Sequence, residues 1–145
     1  MSDWIPIDFE QIEPPSRAQA GGVEINLFWS PYDVPEAVRG YYDRSLDRFV
    51  IEFKYIVDEQ TTREHESEPV SLRVGKHSAR LYAIEVDVNR LKAPSVMLNT
   101  FVPETVDELI RKQSKASPKR RDNMDVARKI LSQSKEEVFR ELSMA

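Results

Sequence analysis

Apolar and polar residues alternate with a period of two over much of the first two thirds of the chain. In the clearest segment, 47–57, one face carries Phe49, Ile51, Phe53, Tyr55 and Val57. Because successive strand residues point to opposite faces, this alternation predicts a half-buried β-strand. The same pattern predicts strands at 23–29, 70–75 and 79–88, and a weaker extended segment at 96–102. The polar stretch 58–68 is typical of an exposed loop.

The period changes to that of a helix after Pro103. Apolar residues recur three or four positions apart in 104–113 and again in 123–142, which indicates two amphipathic helices. The stretch 112–121 between them contains a Ser-Pro step and a single apolar side chain, and it predicts a basic linker. The capping-box pattern that begins at Ser134 indicates a break of the second helix near Ser132.

Short polar turns between alternating strands favour an antiparallel sheet, because parallel neighbours need a crossover and no helix separates the strands. We therefore expect an α+β fold with an antiparallel sheet of four to five strands and two C-terminal helices packed on one face. The 145 residues suit a single domain. Its predicted parts are an irregular arm at 1–22, with at most one extended piece near 4–9, a sheet region at 23–102 and a helical region at 103–145.

A hairpin motif resembles a known family. Tyr42-Asp43 is followed by three residues, Asp47 and an alternating strand, and later Gly75 opens a polar turn that leads into a second strand. Over about residues 40–90 this pattern resembles a small bacterial domain of unknown function, although Ala83 stands where that family usually has glycine. The resemblance implies a small sheet domain and, through some family members, an antitoxin-like partner role. From the residues themselves, Asp43 and Asp47 are expected to hydrogen-bond within their own turn.

The composition narrows the possible chemistry. The chain has no cysteine, which excludes disulfides, thiolate metal sites and cysteine nucleophiles. His65 lies in a glutamate-rich loop without a second histidine four residues on, and His77 lies in the predicted turn. We therefore expect no catalytic residue, no metal and no cofactor, and an enzyme acting on a small molecule is kept only as a third function. The chain lacks a long apolar run and a signal-like start, so we expect a cytoplasmic protein without a membrane partner.

The formal net charge of −4 conceals two unlike regions. Residues 1–68 carry a net −9 and residues 111–129 a net +6. Such asymmetry is typical of a segment that binds a polyanion, which makes a nucleic-acid-binding or antitoxin-like regulatory protein the alternative function. The candidate contacts are Lys112, Lys115, Lys119, Arg120 and Arg121. The other interpretations are an acidic body that attracts its own basic segment and a solvated linker.

The second face of the predicted sheet has a mixed character. Apolar Phe28, Val50 and Ile56 would lie there among charged residues. A second copy of the chain or another protein could cover such a patch, unless the chain's own arm and helices do so. The function expected first is therefore a non-catalytic intracellular interaction module that self-associates, most simply as a homodimer.

Overall fold

The computed structural model describes residues 4–9, 12, 18–20, 23–25, 31–65, 68–91, 98–113 and 118–144. Eight strands lie within these residues. They are β1 (Ile5–Pro6), β2 (Ala18–Ala20), β3 (Val23–Ile25), β4 (Ala37–Asp43), β5 (Arg48–Lys54), β6 (Thr61–Glu64), β7 (Val70–Gly75) and β8 (Leu81–Asp87).

Six of the strands form one antiparallel sheet in the order β1-β4-β5-β8-β7-β6. The predicted α+β class with an antiparallel sheet is confirmed, and so is a short extended piece near 4–9. The expected number of four to five strands is too low. Within the segment predicted at 23–29, the described residues Val23–Ile25 form a strand, which pairs with Ala18–Ala20 outside the main sheet. Residues 26–29 lie outside the described part of the chain.

The sequence pattern missed β4 and β6 for physical reasons. In β4 the alternation is interrupted by Gly40 and by the adjacent tyrosines at 41 and 42, so neither face reads as continuously apolar. In β6 all four residues are polar, because it is an edge strand with no large apolar surface to bury. The segment 58–68, predicted to be a loop, therefore contains the last strand of the sheet.

The face of β5 that the alternation assigned to the core is buried. Phe49 and Ile51 have no exposed surface, and their register partners Val86 and Ile84 on β8 have none either. We call this the inner face of the sheet. The Phe49 ring stacks on Phe139 with the ring centroids 5.7 Å apart. The same buried cluster includes helical residues, among them Val102, Val106, Ile110, Met124, Ala127 and Ile130.

The helices begin earlier than the sequence predicts. They are α1 (Leu98–Gln113), α2 (Pro118–Gln133) and the single turn α3 (Lys135–Val138), followed by 3₁₀ turns over Arg140–Met144. From Leu98 onward, the extended segment predicted at 96–102 is therefore wrong. The linker predicted at 112–121 is also wrong at both ends, where α1 and α2 extend into it. The expected break of the second helix lies at Ser134, close to the predicted position.

Proline explains both misplaced helix starts. Pro103 is the sixth residue of α1, although proline in a helix interior removes one backbone hydrogen bond and normally ends or kinks the helix. Here the loss falls in the first two turns, and the Thr105 hydroxyl donates to the Phe101 carbonyl at 2.8 Å. Pro118 is the first residue of α2, a position where the missing N–H has no intrahelical acceptor in any case.

Gly40 allows a close approach between β4 and α3. A Cβ atom added at Gly40 would lie 2.0 Å from the carbonyl oxygen of Val138 and 3.0 Å from the Phe49 ring. Any larger residue would force the backbone of α3 away from the strand. The glycine that weakens the strand pattern in the sequence is thus required by the packing of the last helical turn.

Candidate functional site

A row of charged side chains crosses the face of the sheet opposite the core, which we call the outer face. Read across β4, β5, β8, β7 and β6, the directly opposed residues are Arg39, Glu52, Ala83, Arg73 and Arg63. Directly opposed residues share a face and lie close enough to interact. Arg39 and Glu52 form an ion pair at 3.0 Å. Ala83 leaves a gap in the row, between Glu52 and Arg73.

Three arginines surround one carboxylate beside this row. Glu85 accepts a hydrogen bond from Arg48 at 3.3 Å and forms an ion pair with Arg63 at 3.1 Å, and the Nε atom of Arg73 lies 3.7 Å from its other oxygen. Only 11% of the Glu85 side chain is exposed, whereas the arginine side chains are 32–46% exposed. We call Arg48, Arg63 and Arg73 the arginine cluster. Its charge exceeds that of Glu85 by two.

A hollow of about 480 Å³ opens next to the cluster on the same side of the sheet. Ala83 contributes the small side chain at its base, and Arg73 belongs to both the hollow and the arginine cluster. The rest of the lining combines aromatic and apolar groups with both signs of charge. It includes Trp4, Tyr82, Ile56, Lys54, Glu36, Glu52 and Asp58.

An irregularity in β8 brings Tyr82 into the hollow. Arg73 is opposite Ala83, but the next residue of β7, Val74, is opposite Leu81, so Tyr82 is the extra residue of a β-bulge. Tyr82 also packs against the buried cluster, with its ring centroid 4.8 Å from that of Tyr55. The Tyr82 hydroxyl donates to the Val57 carbonyl at 3.2 Å. A β-bulge changes the direction of one side chain, and no glycine marks it in the sequence here. The alternation of apolar and polar residues therefore could not predict that Tyr82 lies in the hollow.

A second aromatic element lies at the β4 edge of the outer face. The Arg39 guanidinium lies over the Trp4 ring, 4.2 Å from its centroid, and 5.2 Å from the centroid of Tyr41. Lys54 is 6.0 Å from the centroid of Trp4. Burial, together with the neighbouring Glu52 carboxylate, raises the pKa of Tyr41 to about 12. These cation–π contacts hold the N-terminal Trp4 against the sheet.

The predicted interface residues have different surroundings. Val50 is only 6% exposed, so its prediction as an exposed contact is wrong. It lies in a central strand between Tyr41 and Glu85, where long neighbouring side chains cover a smaller one. Ile56 is 50% exposed and lines the hollow. Phe28 lies outside the described residues.

The basic segment 111–129 is held by ion pairs with acidic residues of the same chain. Arg120 forms a two-pronged pair with Glu64 of β6, at 2.6 and 3.1 Å, and only 16% of its side chain is exposed. This pair lowers the pKa of Glu64. Lys112 pairs with Glu108 at 3.5 Å, and Arg121 lies 3.7 Å from Asp122. Lys115 and the Lys119 side chain lie outside the description. The Arg120 pair matches the interpretation of an acidic body that attracts its own basic segment, whereas Lys112 and Arg121 contact acidic residues of the helices themselves.

A polar cluster ties the β7–β8 turn to the rest of the chain. The Ser78 hydroxyl donates to Glu59, which also accepts from the backbone N–H of His77 at 3.4 Å. Burial raises the pKa of Glu59, but these hydrogen bonds outweigh it and the net shift is downward. Asn123 of α2 donates to the Ser78 carbonyl at 2.9 Å. The carboxylate thus holds a turn that the sequence predicted correctly.

Both histidines are exposed and lie at bends of the chain. His65 has a positive φ of 64° just after β6, and His77 lies in the β7–β8 turn. Among the residues that the structure describes, no group of three or more histidine, aspartate or glutamate side chains is placed to hold a metal ion. The candidate site on the outer face consists of arginines, aromatic rings and carboxylates.

The hairpin that carries the family resemblance has a structural role. Asp43 accepts hydrogen bonds from the Ser45 backbone at 3.0 Å and from its hydroxyl at 2.6 Å, and Asp47 accepts from Tyr42 and Asn89. The hydrogen bond to Asp47, together with burial, raises the pKa of Tyr42 to about 12. The expected side-chain bonding within the β4–β5 turn is confirmed for Asp43, whereas the partners of Asp47 lie in β4 and after β8.

Comparisons with family models, with curated proteins and with solved structures give no match for this chain. The resemblance to a small bacterial domain therefore stays a prediction. Across the helices that the structure describes, none combines the length and the apolar character needed to cross a bilayer.

Proposed function

We propose that the protein is a non-catalytic binding module and that the outer face of its sheet binds an anionic ligand. The observation that carries this proposal is the arginine cluster, in which Arg48, Arg63 and Arg73 share the single carboxylate of Glu85. One guanidinium is enough to balance one carboxylate. Asp43 and Asp87 are directly opposed to Arg48 on the neighbouring strands, so the positive charge that a ligand can neutralise lies at Arg63 and Arg73.

The arrangement of the cluster supports a ligand more than a purely structural role. Arg63 and Arg73 are directly opposed on neighbouring strands, and like charges in that position destabilise a sheet. A bound anion would remove this repulsion. Guanidinium groups present several N–H donors in a plane, which suits phosphate and carboxylate oxygens. About a third to a half of each arginine side chain remains exposed to receive them.

Access to the outer face follows from the placement of the helices. We propose that α1 and α2 both pack on the inner face, which is supported by their buried residues lying in one cluster with Phe49 and Ile51. The outer face then stays open to a ligand. Its small residues Ala83 and Ser71 are buried and are directly opposed to the longer charged residues Arg73 and Glu85.

Thermal unfolding with inorganic phosphate tests this proposal. A ligand at ten times its Kd adds about 1.4 kcal/mol to the free energy of unfolding, which raises Tm by about 4 °C. The double variant Arg63→Gln/Arg73→Gln should lose this shift. The control Arg44→Gln/Arg140→Gln, which removes two exposed cations outside the cluster, should keep it. Phosphate also stabilises folded proteins without binding, so equal shifts in both variants would reject the proposal.

A direct measurement covers the case in which the double variant does not fold. In the wild-type chain, phosphate should shift the Nε–H resonances of Arg48, Arg63 and Arg73 in a saturable way, and that of Arg44 much less. Unchanged cluster resonances at saturating phosphate would contradict the proposal independently of any substitution.

Self-association is the second candidate function, and one observation favours it. Ile56 and Val57 are adjacent apolar residues at the end of β5, and they are 50% and 48% exposed. A second copy of the chain could bury this pair through a two-fold interface.

A further inference from the structure

We infer that the outer face is built for a nucleotide unit, with the phosphate on the arginine cluster and the base in the adjacent hollow. This inference rests on the proposed function and gives the anionic ligand a chemical class. The two parts of the site are joined through Arg73, which contacts Glu85 in the cluster and lines the hollow. A single ligand can therefore occupy both.

The spacing of the two parts fits one sugar ring. Ala83 at the hollow and Glu85 in the cluster are two residues apart on β8, which is about 7 Å along a strand. The ribose of a nucleotide separates its base from its phosphate by a comparable span. At about 480 Å³ the hollow also falls within the range of small-ligand sites.

The charge polarity of the site separates a nucleotide from an acidic peptide. The cluster end offers N–H donors to an anion, whereas the hollow offers three carboxylate acceptors that outnumber its two cations, with Glu36, Glu52 and Asp58 against Lys54 and Arg73. A nucleobase with ring N–H or amino groups can donate to these carboxylates. An aspartate or glutamate side chain placed there would meet like charge instead. A ligand with an anionic end and a flat, donor-bearing end matches both halves.

Aromatic side chains supply the remaining contact. Trp4 and Tyr82 line the hollow, and Arg39 is stacked on Trp4. Rings and guanidinium planes of this kind bind unpaired bases by stacking, with little dependence on base identity. The face therefore suits either a free mononucleotide or one nucleotide of a single strand, and the experiment separates these sources.

Calorimetric titration of the full chain tests the inference with four probes: inorganic phosphate, guanosine 5′-monophosphate, a single-stranded oligoguanylate and polyglutamate. The mononucleotide should bind at least about tenfold more tightly than phosphate, because stacking adds to the phosphate contact. If the natural ligand is a single-stranded nucleic acid instead, the oligoguanylate should bind at least about tenfold more tightly than phosphate. The mononucleotide should then fall short of this difference in affinity.

Two substitutions locate the base. Ala83→Val should fill the base of the hollow, and Trp4→Leu should remove a stacking ring. With either substitution, the affinity for the tighter nucleotide probe should fall to within about threefold of the affinity for phosphate. The affinity for phosphate itself should stay unchanged. Phe9→Leu, which replaces an exposed aromatic residue outside the hollow lining, is the matched control and should keep the full affinity.

The outcomes distinguish this inference from the function on which it rests. If phosphate binds but neither nucleotide probe binds more tightly, the nucleotide inference is rejected and the anion-binding function stands. If polyglutamate binds and nucleotides do not, the ligand is an acidic protein and the inference is again rejected. If no probe binds, both proposals are rejected.

Discussion

At the scale of single residues, Phe49 and Val57 show where the alternation of apolar and polar residues predicts burial correctly and where it does not. The sequence places both on the same face of one strand, but Phe49 is fully buried and Val57 is 48% exposed, because β5 ends at Lys54. Phe49→Ala should lower the free energy of unfolding by about 3–5 kcal/mol. Val57→Ala should change it by less than about 0.5 kcal/mol. Urea denaturation of both variants measures this difference, and similar values would contradict the burial described here.

The sequence predicted the positions of only some residues of the candidate site. The charged residues Glu52, Lys54 and Glu85 were correctly placed opposite the core by their alternation with Phe49 and Ile84. The convergence of three arginines on Glu85 was not predicted, because Arg63 lies in a strand that reads as a loop. The bulge that makes Tyr82 an extra residue was not predicted either, since a bulge shifts the register without changing the composition of the strand.

At the scale of elements, the pair Glu64–Arg120 connects the edge strand β6 to α2. Both guanidinium Nη groups donate to the carboxylate, at 2.6 and 3.1 Å, and the pair is partly buried. The resulting low pKa of Glu64 has a definite consequence for stability. A carboxyl whose folded pKa is depressed stabilises the fold above its unfolded pKa, near 4.5, and loses this contribution as the pH falls through the folded pKa.

We therefore expect Glu64→Gln to destabilise the protein by about 1–3 kcal/mol at pH 7, as for a lost hydrogen bond between charged groups. The difference from wild type should shrink as the pH falls from about 4.5 through the lower folded pKa of Glu64, because only below that pKa is Glu64 uncharged like the glutamine that replaces it. Urea denaturation across this range measures it. Glu108→Gln, in the exposed pair with Lys112, should cost less than about 0.5 kcal/mol at pH 7. A Glu64 effect independent of pH would show that the ion pair is not its source.

Element boundaries show where local patterns lose their predictive value. The strand β5 and the β7–β8 turn follow from residues close in sequence, so period and turn chemistry predicted them. The start of α1 at Leu98 does not follow from residues close in sequence, because Pro103 predicts the start of a helix but lies inside α1. The close approach of α3 to Gly40 involves residues almost one hundred positions apart. Such contacts depend on the tertiary packing, which a short stretch of the sequence does not reveal.

At the scale of the whole molecule, the uneven charge along the chain is balanced within the fold. The acidic first half and the basic segment meet in the pair Glu64–Arg120, while Arg111 and Arg128 both contact Asp107. The cationic surface with a local excess lies elsewhere, on the outer face of a chain with a net charge of −4. Composition alone predicted a polyanion site in the segment richest in lysine and arginine. The pairing between distant acids and bases favours a different location.

The proposed self-association can be tested at the end of β5. If a dimer buries Ile56, light scattering at about 100 µM chain, in the micromolar range of many weak dimers, should give twice the 16.8 kDa mass of one chain. Ile56→Lys should give the mass of a single chain, because a charge buried in an apolar interface is costly. Leu46→Lys, at an exposed apolar residue of the β4–β5 turn, is the matched control and should remain dimeric. A wild-type monomer at this concentration, or an equal loss in both variants, would reject Ile56 as the contact. Because Ile56 also lines the hollow, such a dimer should weaken as guanosine 5′-monophosphate is added.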